Sequence, residues 1–285
     1  LVLDRATRSC LELVATQREG RKEGTLLDTL DATLTPMGGR LLREWLLSPL
    51  RKVEPIVDRQ RGVAELVDSP FLREDVRELL RGVLDIERLA AKISTGRANA
   101  RDLVGLAQSL EVVPRLRAKL EHVWSAILGR TLERLDPLDD VATRIRRTLI
   151  DAPPLALRDG GIIRPGFSAE LDELLQIAGD GKSWMARFQA DEIARTGLAG
   201  LKIGFNSVFG YYIEVPRGQS ERAPASYIRK QTVKNAERYI TPELKEFEGK
   251  VLKAEERSRD LEYAIFGELR DEVAQQPPRR VRGGD

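Results

Sequence analysis

The sequence predicts a mainly α protein: a helical body, two long antiparallel helices leaving it, and a small antiparallel β-sheet inserted between those two helices. Three observations predict it. Charged residues make up 32% of the 285 and aromatics 5%, which suits helices with solvated faces better than a compact sheet enzyme. Apolar residues recur at alternating steps of three and four in two stretches, Ser168 to Thr196 and Thr241 to about Gln275. Between them, Gly197–Ile240 is crowded with residues that end helices, and it holds four of the five tyrosines (Tyr211, Tyr212, Tyr227, Tyr239). Seven cations against three carboxylates give those 44 residues a net charge of +4, whereas the whole chain carries +2.

Taken in order, Leu1–Leu13 alternates loosely and reads as containing a short strand, and Arg18–Gly24 as a polar loop. Thr25–Leu34 reads as a short helix. Thr35-Pro36 then opens a helix, since a Thr cap and a Pro at the first helical position both suit a helix start, and Ser48-Pro49 closes it. Amphipathic helices follow over Val53–Val67, Phe71–Leu80 and Ile86 to about Gly96, with a further helical region from Arg101 to about Ile127 interrupted at Pro114. In Asp151–Phe167, apolar pairs flank Asp159-Gly160-Gly161, a hairpin signal.

The first arm starts at the cap Ser168 and continues through Leu171, Leu174, Ala178, Gly181, Met185 and Phe188. At ~1.5 Å per residue its length is roughly 40 Å. Gly179 and Gly181 weaken its middle by about 1 kcal/mol each, so a joint is expected there. The second arm opens at Thr241-Pro242, where Glu243 meets the helix dipole, and runs through Leu244, Phe247, Val251, Ala254, Ser258, Leu261 and Ile265. Each arm has one narrow apolar stripe, so each needs a partner, and the antiparallel other arm is the nearest. Leu201, Ile203 and Phe205 alternate with polar residues as one strand, Tyr211–Val215 is a second, and Tyr227–Val233 and Arg238–Ile240 supply more. No internal repeat is evident, and Gln275–Asp285 reads as a disordered tail.

The lone Cys10 excludes a disulfide framework, and the lone His122 makes zinc or triad chemistry a poor fit. No apolar run is long enough for a membrane span, and no signal-like segment opens the sequence. Gly181-Lys182-Ser183 imitates the end of a phosphate-binding loop, but Gln176 stands where that motif needs glycine.

Phe205–Val215 (FNSVFGYYIEV) and Tyr227–Arg257 (YIRKQTVKNAERYITPELKEFEGKVLKAEER) resemble the clamp segment of the MutS family of DNA mismatch-recognition ATPases. Thr25–Leu50 and Leu157–Leu175 are similar to that family's core and lever segments, and the likeness extends to about Ala274. The resemblance implies a helical core over residues 1–167, with 151–167 as its hairpin linker. It further implies lever helices over 168–196 and 241–274 and a clamp over 197–240, leaving 275–285 as the tail. It implies double-stranded DNA, a second protomer of the family and the MutL protein as partners, in the bacterial cytoplasm at the nucleoid. The family's mismatch wedge and its ATPase, with ATP and magnesium, are expected outside this stretch, so no cofactor and no enzymatic activity are expected within it. Phe266-Gly267-Glu268 has the letters of the wedge but falls within a helix on the wrong side of the clamp.

Cations interleaved with Asn206, Ser207, Gln231, Thr232 and Asn235 suit phosphate contacts, which position a duplex without reading it. Asn206, Arg229, Lys230, Gln231, Thr232, Lys234 and Asn235 form the expected backbone-binding set, while Glu237 and Arg238 pair locally and the tyrosines pack the sheet. The competing expectation is a structural relay or dimerisation element with little DNA affinity of its own.

Overall fold

The computed structural model describes residues 4–206, 208 and 210–275. They divide into two compact units, the described parts of Leu1–Leu157 with Phe266–Asp285, and Arg158–Ile265.

The first unit is helical: α1 (Arg5–Cys10), α2 (Leu26–Leu30), α3 (Pro36–Leu47), α4 (Val53–Asp68), α5 (Pro70–Arg81), α6 (Ile86–Ser94), α7 (Ala100–Leu110), α8 (Val113–Lys119), α9 (Ala126–Arg134) and α10 (Asp139–Thr148). Its centre is α7, which packs against α6 and α10 and buries Ala100, Leu103, Leu106, Ala107 and Leu110. A reciprocal cap starts α7: Asp102 N donates to Asn99 Oδ1 at 2.9 Å, and Asn99 N donates to Asp102 Oδ2 at 3.0 Å. Thr25, Thr35 and Asp85 cap α2, α3 and α6 one way, each side chain accepting from a backbone N–H three residues on. The buried Glu65 of α4 reaches the start of α9, accepting from Trp124 N at 2.7 Å and Ser125 N at 2.9 Å.

The strand expected in Leu1–Leu13 is not formed among the described residues. Asp4 accepts from Thr7 N at 2.7 Å, and this local cap starts α1 instead. Leu1, Val2 and Leu3 lie outside the described residues, as do Ser207, Phe209 and the tail after Gln275.

The second unit contains a 3-10 turn (Leu157–Asp159) at its edge, α11 (Ala169–Gly179), α12 (Gly181–Thr196), β1 (Lys202–Asn206), β2 (Gly210–Pro216), a 3-10 helix (Arg217–Arg222), β3 (Ile228–Thr232), β4 (Ala236–Ile240) and most of α13 (Pro242–Gln275). The expected first arm is thus two helices that meet at Asp180, between Gly179 and Gly181. Antiparallel pairing with α13 is visible at two levels. Trp184 stacks on Phe247 with ring centroids 3.6 Å apart, and Arg257 pairs with Glu170 at 3.2 Å. On α13 the expected stripe is turned inward, with Leu244, Val251, Ala254 and Ser258 buried.

The hairpin expected around Asp159-Gly160-Gly161 does not form. Gly160 and Gly161 both take left-handed φ, +69° and +68°, and curl the chain around a carboxylate of α13. Glu262, 2% exposed, accepts from Gly161 N at 2.7 Å, Ile162 N at 3.0 Å and Ile163 N at 3.3 Å. With those amides bound to a side chain, no ladder can use them.

Candidate nucleic-acid interface

The four strands are all antiparallel in the order β1-β2-β4-β3, so β3 and β1 are the edges. One face is the core. Ile213 and Val215 of β2 and Tyr239 of β4 pack with Tyr227, Phe188 of α12 and Leu244 of α13, and Trp184, Ile193, Ile203 and Tyr211 close the rim. Period-two alternation puts Lys202, Glu214, Arg238 and Gln231 in one cross-strand row on the other face. Arg238 organises that row. Its Nε bonds Glu214 Oε2 at 3.0 Å, its Nη1 donates to Gln231 Oε1 at 3.0 Å, and its guanidinium lies 4.4 Å above the Tyr212 ring. Gly204 faces Tyr212 across the ladder, and a Cβ there would lie 2.6 Å from the ring, so only glycine lets the tyrosine lie flat over β1.

Three carboxylates, two from the helices and one from β4, fasten the sheet. Glu192 of α12 accepts a hydrogen bond from the Tyr227 hydroxyl and pairs with Arg195 at 2.7 Å. Burial pushes the Glu192 carboxyl up, but Arg195 and Tyr227 outweigh it and hold it below the usual range. Burial first, and then Glu192, raise the Tyr227 phenol well above its ordinary value, so the proton stays on the tyrosine. Glu248 of α13 accepts from Tyr211 N at 3.1 Å and from Lys245 Nζ at 2.9 Å, holding the turn between β1 and β2. Glu237 accepts from the Tyr239 hydroxyl at 2.6 Å and from Arg229 Nη1 at 3.3 Å; Tyr239 is pushed up to about 12, by burial and then by Glu237.

All five residues of β3 are exposed, and they include Arg229, Lys230, Gln231 and Thr232. The ladder skips from Arg229↔Tyr239 to Gln231↔Arg238, leaving Lys230 as the extra residue of a bulge. Lys234 and Asn235 form the adjoining turn, where the Asn235 carbonyl accepts from Arg217 N at 3.0 Å. Among the described residues Lys230 and Lys234 have no ion-pair partner. Six of the seven expected residues therefore share one edge and its turn.

Asn206 does not join them. It ends β1, its Oδ1 accepting from Val208 N at 2.7 Å, at the opposite end of the sheet and at the far edge, three strand spacings or roughly 14 Å across the strands. Gln231 is occupied within the sheet by Arg238, and Arg229 by Glu237. Arg217, one of the seven cations of Gly197–Ile240, is exposed at the same end as Lys234. Its signal was only the local cation excess.

Gly181-Lys182-Ser183 is built into helix and not into a phosphate-binding loop. Gly181–Ser183 continues from α11 into α12 through Asp180, Gln176 is helical, and Ser183 Oγ donates to Asp180 O at 2.9 Å instead of facing an open loop. Among the described residues no three His, Cys, Asp or Glu side chains are grouped to hold a metal ion, and no helix is long and apolar enough to cross a membrane.

Fold and site together define a helical scaffold protein that presents a small antiparallel sheet with a cation-bearing edge. Over residues 6–281 the chain matches the family model described as MutS domain III, and it belongs to that family. It is 51% identical over 282 residues to "DNA mismatch repair protein MutS" of Symbiobacterium thermophilum, covering 99% of this chain and 32% of that protein. Proteins of the same name from Halothermothrix orenii (46% over 273 residues, 96% and 30% covered) and Acetivibrio thermocellus (47% over 276, 97% and 32%) are similar to it. The chain thus spans about a third of the length of these curated relatives.

Proposed function

We propose that this chain serves DNA mismatch repair by holding duplex DNA through its phosphate backbone, without reading sequence, and by carrying mechanical coupling along its helices. In this reading residues 197–240 are the clamp, 168–196 and 241–274 the lever and 1–167 the helical core. The supporting observation is the exposed edge strand β3, where Arg229 and the bulged Lys230 stand beside the turn of Lys234 and Asn235. Cations, amides and unpaired edge N–H groups on one rim suit phosphate oxygens. Mismatch reading and ATP hydrolysis with magnesium belong, in this reading, to other parts of such a protein, as do the contacts to a second protomer and to MutL.

Fluorescence anisotropy of labelled matched and mismatched duplexes at several salt concentrations tests it. We expect weak binding, equal for the two duplexes, with log K falling by about 0.9 per neutralised phosphate, a slope of about −3 to −5. Arg229→Ala with Lys230→Ala should weaken both duplexes alike and flatten that slope by about one to two units. A clear mismatch preference, or an unchanged slope in the double variant, overturns the assignment. The internal pairing of Arg229 and Gln231 favours the structural-relay reading, which salt-independent or absent binding would support.

A further inference from the structure

Helix α4 is turned inside out for an amphipathic helix. The face it packs on α5 and α9 carries Gly62, Glu65 and Asp58. A Cβ on Gly62 would lie 2.6 Å from Ile127 Cγ2, Glu65 holds the amides of Trp124 and Ser125, and Asp58 pairs with Arg130. The opposite face is apolar and bare. Val53, Ile56, Gln60, Val63 and Val67 follow there at steps of three, four, three and four, the seam of a coiled coil, with Val57 and Ala64 beside it. Val53, Val63 and Val67 are 73%, 63% and 60% exposed, and Gln60 and Ala64 are exposed with them. A contiguous exposed stripe of this kind marks an interaction surface, and its period calls for a second helix.

The seam is also symmetric. Counted outward from Gln60, Val57 and Val63 stand at three residues, Ile56 and Ala64 at four, and Val53 and Val67 at seven. We propose that α4 docks against α4 of a second copy of this chain, antiparallel, with the twofold axis at Gln60. Val53 of one copy then meets Val67 of the other, Ile56 meets Val63, and Val57 meets Ala64. A twofold contact needs such a self-complementary patch, whereas docking of a different helix does not call for the mirrored order. At the axis the two Gln60 amides pair with each other, since each carries a donor and an acceptor. Glu54, Arg61 and Asp68, at steps of seven, lie to one side of the seam at its solvated rim. The 16 residues of α4 give a contact about 24 Å long, small against the roughly 1,200 Å² at which stable interfaces begin, so the dimer is weak and reversible. This contact is additional to those that other parts of such a protein make with a second protomer, and it does not rest on the DNA-binding reading.

Sedimentation velocity of the 285-residue chain over a wide range of concentration tests it. The parent chain should pass from monomer to dimer. Gln60→Glu and Gln60→Lys each set like charges on the axis, and each should weaken association by about tenfold or more. Mixed in equal amounts, the two variants should recover it as a heterodimer. Val63→Glu with Val67→Glu, at exposed positions outside the core, should leave a monomer whose helix content by circular dichroism is unchanged. A chain that stays monomeric at every concentration, a dimer that survives either set of substitutions, or a mixture that associates no better than the single Gln60 variants would overturn the proposal.

Discussion

Strands β3 and β4 are neighbours of five residues each, and every residue of β3 is exposed while Ala236, Tyr239 and Ile240 of β4 are buried. Their difference is one of place as much as of composition. β4 lies between β2 and β3, where Tyr239 meets Ile213, whereas β3 is an edge. Edge strands expose backbone donors that invite pairing with another chain, and charges and bulges discourage it. Arg229 and the bulged Lys230 do this on β3, and the same features make the edge hospitable to phosphates. One strand holds the sheet together, and its neighbour carries the exposed edge.

The widest separation between the two strands should appear on truncation. Tyr239→Ala removes a buried ring and should cost about 3–5 kcal/mol, while Lys230→Ala should change stability by no more than about 0.5 kcal/mol. Trp184 is the one tryptophan of Arg158–Ile265, so urea unfolding followed by its fluorescence, with Trp45 and Trp124 replaced by Phe, reads this unit. Similar losses from both substitutions would erase the contrast between core strand and edge strand.

Much of this architecture was legible in the sequence because its causes are local. Thr241 does cap α13, its Oγ1 accepting from Leu244 N at 3.2 Å, and the expected joint does fall at Asp180 between the two glycines. The alternation of Leu201, Ile203 and Phe205 marks β1, and three of the four sheet tyrosines are buried. What stayed hidden depends on distant partners. Glu248 and Glu262 look like solvated charges of a helix surface, yet each accepts amides from a turn 37 or about 100 residues away. Spacing along the chain does not reveal the order β1-β2-β4-β3, so it does not separate Asn206 from Lys234 and Asn235. Gln231 has the right chemistry for a phosphate, but cross-strand register hands it to Arg238.

A second way to sharpen the contrast is to disturb the turn that holds β2, leaving both strands intact. Gly210 has φ +80°, and a Cβ there would lie 1.9 Å from Glu248 Oε1. Gly210→Ala should therefore cost about 2–4 kcal/mol, from left-handed strain plus the displaced acceptor of the Tyr211 amide. Adding Glu248→Ala should restore part of this, because the collision disappears while the strain and the unmet amide remain. Strict additivity of the two substitutions would show that Glu248 does not guard this turn.

The smallest effect is the most diagnostic, because it lies at the point where the chain passes from core to edge. Tyr227 is buried, whereas Ile228 immediately after it is already exposed. Tyr227→Phe should cost about 1–2 kcal/mol near neutral pH, the scale of a hydrogen bond to a charged acceptor. Its signature is at alkaline pH. The folded phenol titrates above its ordinary value near 10, raised by burial and then by Glu192, so its contribution is complete below pH 10 and is lost as pH rises toward the folded value. Tyr239, pushed up to about 12, contributes in the same direction in both proteins. Between pH 10 and 12 the parent should therefore lose stability more steeply than the variant, by about 1.4 kcal/mol per pH unit, one proton's worth. Urea midpoints read through Trp184 across that range give the two curves. Parallel curves would mean that the Tyr227 proton is not held by Glu192, and that the edge strand is fastened to α12 by some other contact.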